Sequence, residues 1–117
     1  HNKLGFTVLV EWIKRIKMKN FYIILALGIR KDYVNILKEI KKANPKILFV
    51  LKGKSFNSQN PKKILARANE LKIYSIISES IYDALNTIKN DKNTCNKKKV
   101  VITGSIGLVG SFLAEIK

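Results

Sequence analysis

Apolar residues recur along this chain in two alternating periods, and that alternation predicts its architecture. Over residues 4–18, Leu9, Trp12, Ile13 and Ile16 share one stripe, with Glu11, Lys14, Arg15 and Lys17 opposite. This is the pattern of an amphipathic helix. Residues 21–27 form an unbroken apolar run closed by Gly28, which suits a strand covered on both faces. A second helix is predicted from Asp32, with Val34, Leu37 and Ile40 inward, and Asn44-Pro45 ends it, because proline disfavours helical geometry in the residue before it. Residues 47–51 read as another buried strand and residues 52–59 as a polar loop. Asn60-Pro61 then opens a third helix, with asparagine as N-cap and proline at the first helical position.

That helix turns Ile64, Leu65, Ala68 and Leu71 inward, and residues 73–77 follow as a short strand. Ser80, with Asp83 three residues on, caps a helix whose core positions are Ile81, Ala84, Leu85 and Ile88. The Lys/Asn-rich residues 89–99 read as a surface connection, with Lys97-Lys98-Lys99 as a solvated loop. The β-branched run Val100-Val101-Ile102-Thr103 suits a final strand. Gly104 and Ser105 supply a turn, and Leu108, Val109, Phe112, Leu113 and Ile116 recur at the spacing of a last helix.

The predicted order is therefore α-β-α-β-α-β-α-β-α. It implies a Rossmann-like α/β domain over residues 1–117, with a mostly parallel sheet of about four strands and helices on both faces. Such units ordinarily open on a strand, and this one opens on a helix. The expectation is either a four-stranded sheet or a first strand removed upstream of His1; a start at His1 and not Met fits a fragment or a processed product. The aromatics Phe6, Trp12, Phe21, Tyr22 and Tyr33 lie on otherwise apolar faces and are expected in the core.

Composition changes the picture in one respect. At 46% apolar and 26% charged the chain is ordinary, but its net charge is +15. Lys supplies all but three of the 23 cations, beside much Ile and Asn, as codon drift in an AT-rich genome would produce. Lysine spread this way reads as a solvated surface, although a small basic nucleic-acid-binding module is the rival reading. Arginine, the residue of bidentate recognition, occurs only at Arg15, Arg30 and Arg67. The single Cys95 excludes a disulfide framework and fits a reducing, cytoplasmic setting. No apolar run approaches the roughly 20 residues of a membrane span, and no signal peptide is expected.

The chemistry-bearing stretch is Thr103-Gly104-Ser105-Ile106-Gly107-Leu108-Val109-Gly110. A strand, a small-residue turn and a helix together direct backbone N–H groups and a positive helix end at an anion. The string resembles the pyrophosphate turn of short-chain dehydrogenases and sugar-nucleotide epimerases, which would make the chain an NAD(P)-binding fragment. In that family the turn opens the chain and a ribose-binding acid follows about 20 residues on; here seven residues follow Gly110.

A second resemblance spans about 110 residues. His1-Asn2 before the Trp12 helix, Gly28-Ile29-Arg30-Lys31-Asp32, Asn60-Pro61, and Thr103-Gly104-Ser105 with Val109-Gly110 occur in this order. The chain thereby resembles the C-terminal domain of folylpolyglutamate synthases and dihydrofolate synthases, members of the Mur-ligase-like family. The Asp-Gly-Ala that precedes His-Asn in that family is not present, and Gly107 stands where the family often has an aromatic. The resemblance implies part of a bacterial, ATP-dependent amide ligase. In such an enzyme ATP phosphorylates a folate carboxylate, and the amine of L-glutamate attacks the acyl phosphate. An N-terminal ATPase domain, on the same polypeptide or encoded separately, would carry the P-loop and the Mg²⁺ ligands, so this chain alone is expected to be inactive.

By the same resemblance, His1 and Ser105 would face the reaction centre as catalytic residues, and Asn2, Lys31, Asp32 and Gly104 would contact the nucleotide. The residues themselves leave plainer readings open. His1 reads more readily as an exposed chain end, and Ser105 equally well as a simple helix cap. For Lys31 and Asp32, surface charge and an N-cap are the reading that local pattern favours.

Overall fold

The computed structural model describes residues 21–27, 32–52, 60–91, 98–104 and 112–116. The helix predicted over residues 4–18 lies outside them. The described elements are β1 (Phe21–Ala26), α1 (Tyr33–Ala43), β2 (Ile47–Leu51), α2 (Pro61–Glu70), β3 (Ser75–Ser78), α3 (Ile81–Asn90), β4 (Lys98–Gly104) and β5 (Phe112–Ile116). They build one sheet in the order β3-β2-β1-β4-β5. The first four of these pair in parallel, and β5 runs antiparallel to β4.

β1 lies at the centre, and every one of its residues is buried. Its alternation divides the core in two. Phe21, Ile23 and Leu25 pack with Ile36, Leu37 and Ile40 of α1 and Ile64 and Ala68 of α2. Tyr22 and Ile24 point to the opposite face and pack with Ala84 and Ile88 of α3. Helices therefore cover both faces, as the βαβ alternation predicts. Tyr33 is half-buried against the first cluster, and Ile36, not Val34, fills the inward position of α1.

Each helix is delimited by local chemistry. The Asp32 carboxylate accepts the Asn35 N–H, and Asn44, in the left-handed region at φ 58°, closes α1 by donating to Ile40 and Lys41. Asn60 accepts the Lys62 N–H at 3.0 Å, with Pro61 following it into α2. Lys72, at φ 60°, turns the chain out of α2; its N–H meets the Asn69 carbonyl while the Ile73 N–H meets that of Ala68. Those two bonds make a Schellman closure, normally given to glycine. Ser80 Oγ accepts the Asp83 N–H at 3.1 Å and opens α3.

Two further sequence expectations are corrected. Phe112–Ile116 is not part of a closing helix but the antiparallel strand β5, with Ile102 opposite Phe112 and Lys98 opposite Ile116. Phe112, Ala114 and Ile116 alternate as well as they fit a helix, and so short a run does not separate the two periods. Pairing with β4 satisfies a row of backbone groups that would otherwise form a bare sheet edge. Lys98 is the second correction: it is not in a solvated loop but is the buried first residue of β4, 8% exposed.

Candidate functional site

The sheet order creates a switch point. From β1 the chain moves outward through α1 to β2 and through α2 to β3, then returns by way of α3 to β4 on the other side of β1. Connections leaving β1 and β4 thus diverge, and the crevice between their carboxyl ends is where doubly wound sheets take ligands. The register sets Ala26 directly beside Gly104 at that point. The N-termini of α1, α2 and α3 open at the same end of the sheet, which brings their positive dipole ends to it.

Of the site residues expected from sequence, Asp32 and Gly104 fall in this region. Gly104 ends β4 at the crevice. Asp32 follows β1 as the exposed N-cap of α1, where its Oδ1 accepts the Asn35 N–H at 3.2 Å and its Oδ2 takes the Asn35 side-chain amide. The geometry therefore realises the capping role of Asp32. His1, Asn2, Lys31 and Ser105 lie outside the described residues. Sequence reasoning passed over a further pair at this end: Lys52, just past β2, meets Glu79, just past β3, at 3.3 Å. Its only sequence signal is a charged residue immediately after each strand. Among the described residues no group of three or more His, Cys, Asp or Glu side chains could hold a metal ion. Nor is any described helix long and apolar enough to cross a membrane.

The opposite end of the sheet carries a different arrangement. Tyr22 at the start of β1 donates its hydroxyl to Asp91 Oδ2 at 2.6 Å, and Lys46, just before β2, reaches the same oxygen at 2.7 Å. The Lys46 ammonium also stands 6.0 Å from the centroid of the Tyr22 ring. The Lys46 hydrogen bond, joined by that of Tyr22, holds the Asp91 carboxyl below its ordinary range against the opposing effect of burial. Reciprocally, Asp91 raises Lys46 above the usual lysine value. Lys98 completes the cluster by donating to the carbonyls of Ile88 at 2.7 Å, Lys89 at 3.0 Å and Asp91 at 2.5 Å. These carbonyls lie in the last turn of α3 and at its C-cap, where acceptors are left over, and the Ile88 carbonyl takes the Asp91 N–H as well, so a strand side chain serves as the cap of a helix. The cluster sits at the amino ends of the strands and ties α3 to β1, β2 and β4. Its role is to hold the layers whose far ends form the crevice.

Fold and crevice together define a doubly wound α/β domain with a ligand position at the β1/β4 switch point. A solved structure shares this fold: the folylpolyglutamate synthetase of Helicobacter pylori superposes with a TM-score of 0.65 at 21% identity, covering 90% of this chain and 24% of that one. The chain thus spans about a quarter of the length of that synthetase (24%), and the likeness is one of fold. No protein-family profile matches the sequence, and no curated protein matches it. The dinucleotide-turn alternative is not favoured: its fingerprint runs from a strand directly into a helix, whereas Phe112–Ile116 is a strand.

Proposed function

We propose that this chain is the C-terminal domain of an ATP-dependent ligase that joins L-glutamate to a folate carboxylate. The observation that carries the reading is the superposition on a folylpolyglutamate synthetase over 90% of the chain. The ordered series of short motifs ending in Thr103-Gly104-Ser105 supports it, and so does the position of Gly104 at the switch point.

In this reading an N-terminal ATPase domain binds ATP and Mg²⁺, and Mg²⁺ supplies charge neutralisation for phosphoryl transfer to the folate carboxylate. This domain closes over the nucleotide from above the strand ends. His1 and Ser105 are the proposed catalytic residues, an imidazole and a hydroxyl suited to hold a carboxylate or a developing phosphate charge. Asn2, Lys31, Asp32 and Gly104 are the proposed nucleotide contacts. The chemistry of each sorts the roles further. Gly104 lets a ligand approach the backbone closely, and Lys31 is a point charge for phosphate. Asp32 repels phosphate, so its carboxylate, already anchored by Asn35, suits a hydroxyl or an ammonium group.

The test is a chimera in which this chain replaces the matched quarter of the H. pylori synthetase. Glutamate-dependent ADP release with tetrahydrofolate or dihydropteroate is measured against the same protein lacking that quarter. Activity restored by the chain, and lost again on Ser105→Ala, is the expected result. A folded chimera that hydrolyses ATP but forms no glutamyl product refutes the reading.

A further inference from the structure

At the end of the sheet opposite the crevice, the ends of α1 and α2 and the starts of β2 and β3 surround a pocket of about 210 Å³. Its lining includes Lys41, Asn44, Lys46, Lys72, Ile73 and Tyr74, and no carboxylate. Lys46 is committed to Asp91 at 2.7 Å. Lys41 Nζ reaches the Lys72 carbonyl at 3.3 Å, and neither Lys41 nor Lys72 forms an ion pair among the described residues. Of the carbonyls on which the two helices end, Ile40 and Lys41 take the Asn44 N–H, while Ala68 and Asn69 take those of Ile73 and Lys72. The negative pole of each helix is thus partly answered before any ligand arrives.

Two further features set this pocket apart. Lys72 stands at φ 60°, where glycine fits best; a lysine kept there against its backbone points to a use for the ammonium group. Beside it, Tyr74 is 65% exposed, one of two large hydrophobic side chains left exposed among the described residues. The volume falls below the roughly 300–1,000 Å³ that encloses a drug-sized ligand. It therefore takes one ionic group and leaves the rest of a molecule outside, against the Tyr74 ring.

We propose that this pocket binds a nucleoside phosphate, the phosphate between Lys41 and Lys72 and the base stacked on Tyr74. Lysines act as point charges suited to phosphate, and an exposed ring beside them is a stacking platform. The net charge of +15 draws such an anion to the surface. A free mononucleotide and a nucleotide within a single strand offer the same chemistry. Because pocket and crevice lie at opposite ends of the sheet, this ligand does not depend on the ligase reading above.

The test follows amide chemical shifts of the 117-residue chain in low salt, on titration with uridine monophosphate, uridine and inorganic phosphate. Saturable shifts are expected at Asn44, Lys72, Ile73 and Tyr74, with uridine monophosphate bound more tightly than either fragment. Lys72→Gly should keep the fold and raise the urea midpoint, yet weaken the nucleotide on the order of tenfold, as loss of a charged hydrogen bond implies. Tyr74→Ala should weaken it roughly fivefold or more and leave inorganic phosphate unaffected. Tighter binding of a short oligouridylate that still depends on Tyr74 identifies a strand as the source, and weaker binding identifies the free nucleotide. Binding that survives both Lys72→Gly and Lys41→Gln overturns the proposal, as does equal affinity for uridine. Shifts spread over the lysine surface without saturation overturn it too.

Discussion

Replacing Asp91 with alanine removes the carboxylate on which two separate elements converge, through Tyr22 at 2.6 Å and Lys46 at 2.7 Å. Tyr22 is fully buried while the Asp91 side chain is 24% exposed, and this part-buried bond to a charged acceptor contributes about 1.5–3 kcal/mol. The Lys46 side chain is 34% exposed, and solvent screening holds its share to about 0.5–1 kcal/mol. The expected loss is therefore about 2–4 kcal/mol, or roughly 8–16 °C in Tm for a chain of this size. Urea and thermal denaturation of Asp91→Ala, Tyr22→Phe and the double variant measure it. A coupling of at least about 1 kcal/mol is expected between the two sites; single losses that add to within about 0.5 kcal/mol refute the assignment.

Acid provides an independent arm of the same experiment. The Asp91 carboxyl is depressed by Lys46 and then by Tyr22, so the native state binds fewer protons than the unfolded chain near the ordinary aspartate value. Its stabilisation is complete above about pH 5 and is lost as pH falls through the lowered native pKa. Wild type should consequently lose more stability than Asp91→Asn between about pH 5 and pH 2. For Lys46, raised by Asp91, the contribution persists through neutral pH and is lost only as pH rises through the elevated native value.

Lys98→Met keeps the length of the side chain but leaves the Ile88, Lys89 and Asp91 carbonyls without their ammonium donor; a loss of about 2–4 kcal/mol is expected, with faster hydrogen exchange in the last turn of α3. Lys72→Gly relieves a side chain held at φ 60° and should raise stability by about 1 kcal/mol, read from the urea midpoint. The register of β4 and β5 predicts cross-strand proton contacts between Val101 and Leu113; sequential helical contacts over residues 112–116 in their place would refute the strand.

The elements that sequence made legible are those decided within a few residues. Asp32, Asn60 and Ser80 cap the three helices as predicted, because a capping side chain reaches only the next turn. Ile47–Leu51 is a buried strand, since an uninterrupted apolar run between turn signals leaves little alternative. Alternation of such elements determines a parallel α/β sheet, and with it a switch-point crevice at strand carboxyl ends. Tertiary structure alone decided the rest. Tyr22 and Asp91 are 69 positions apart, so no local pattern could show that a residue in a polar run is an anchor. In sequence Lys98 is one lysine of a run of three, and it is the three carbonyls at the end of α3 that hold its ammonium group in a buried position. Phe112–Ile116 carries a pattern compatible with helix or strand, and the unpaired edge of β4 resolved it. Local periodicity and capping chose the elements, whereas pairing across the chain chose which polar groups they bury and where the last segment lies.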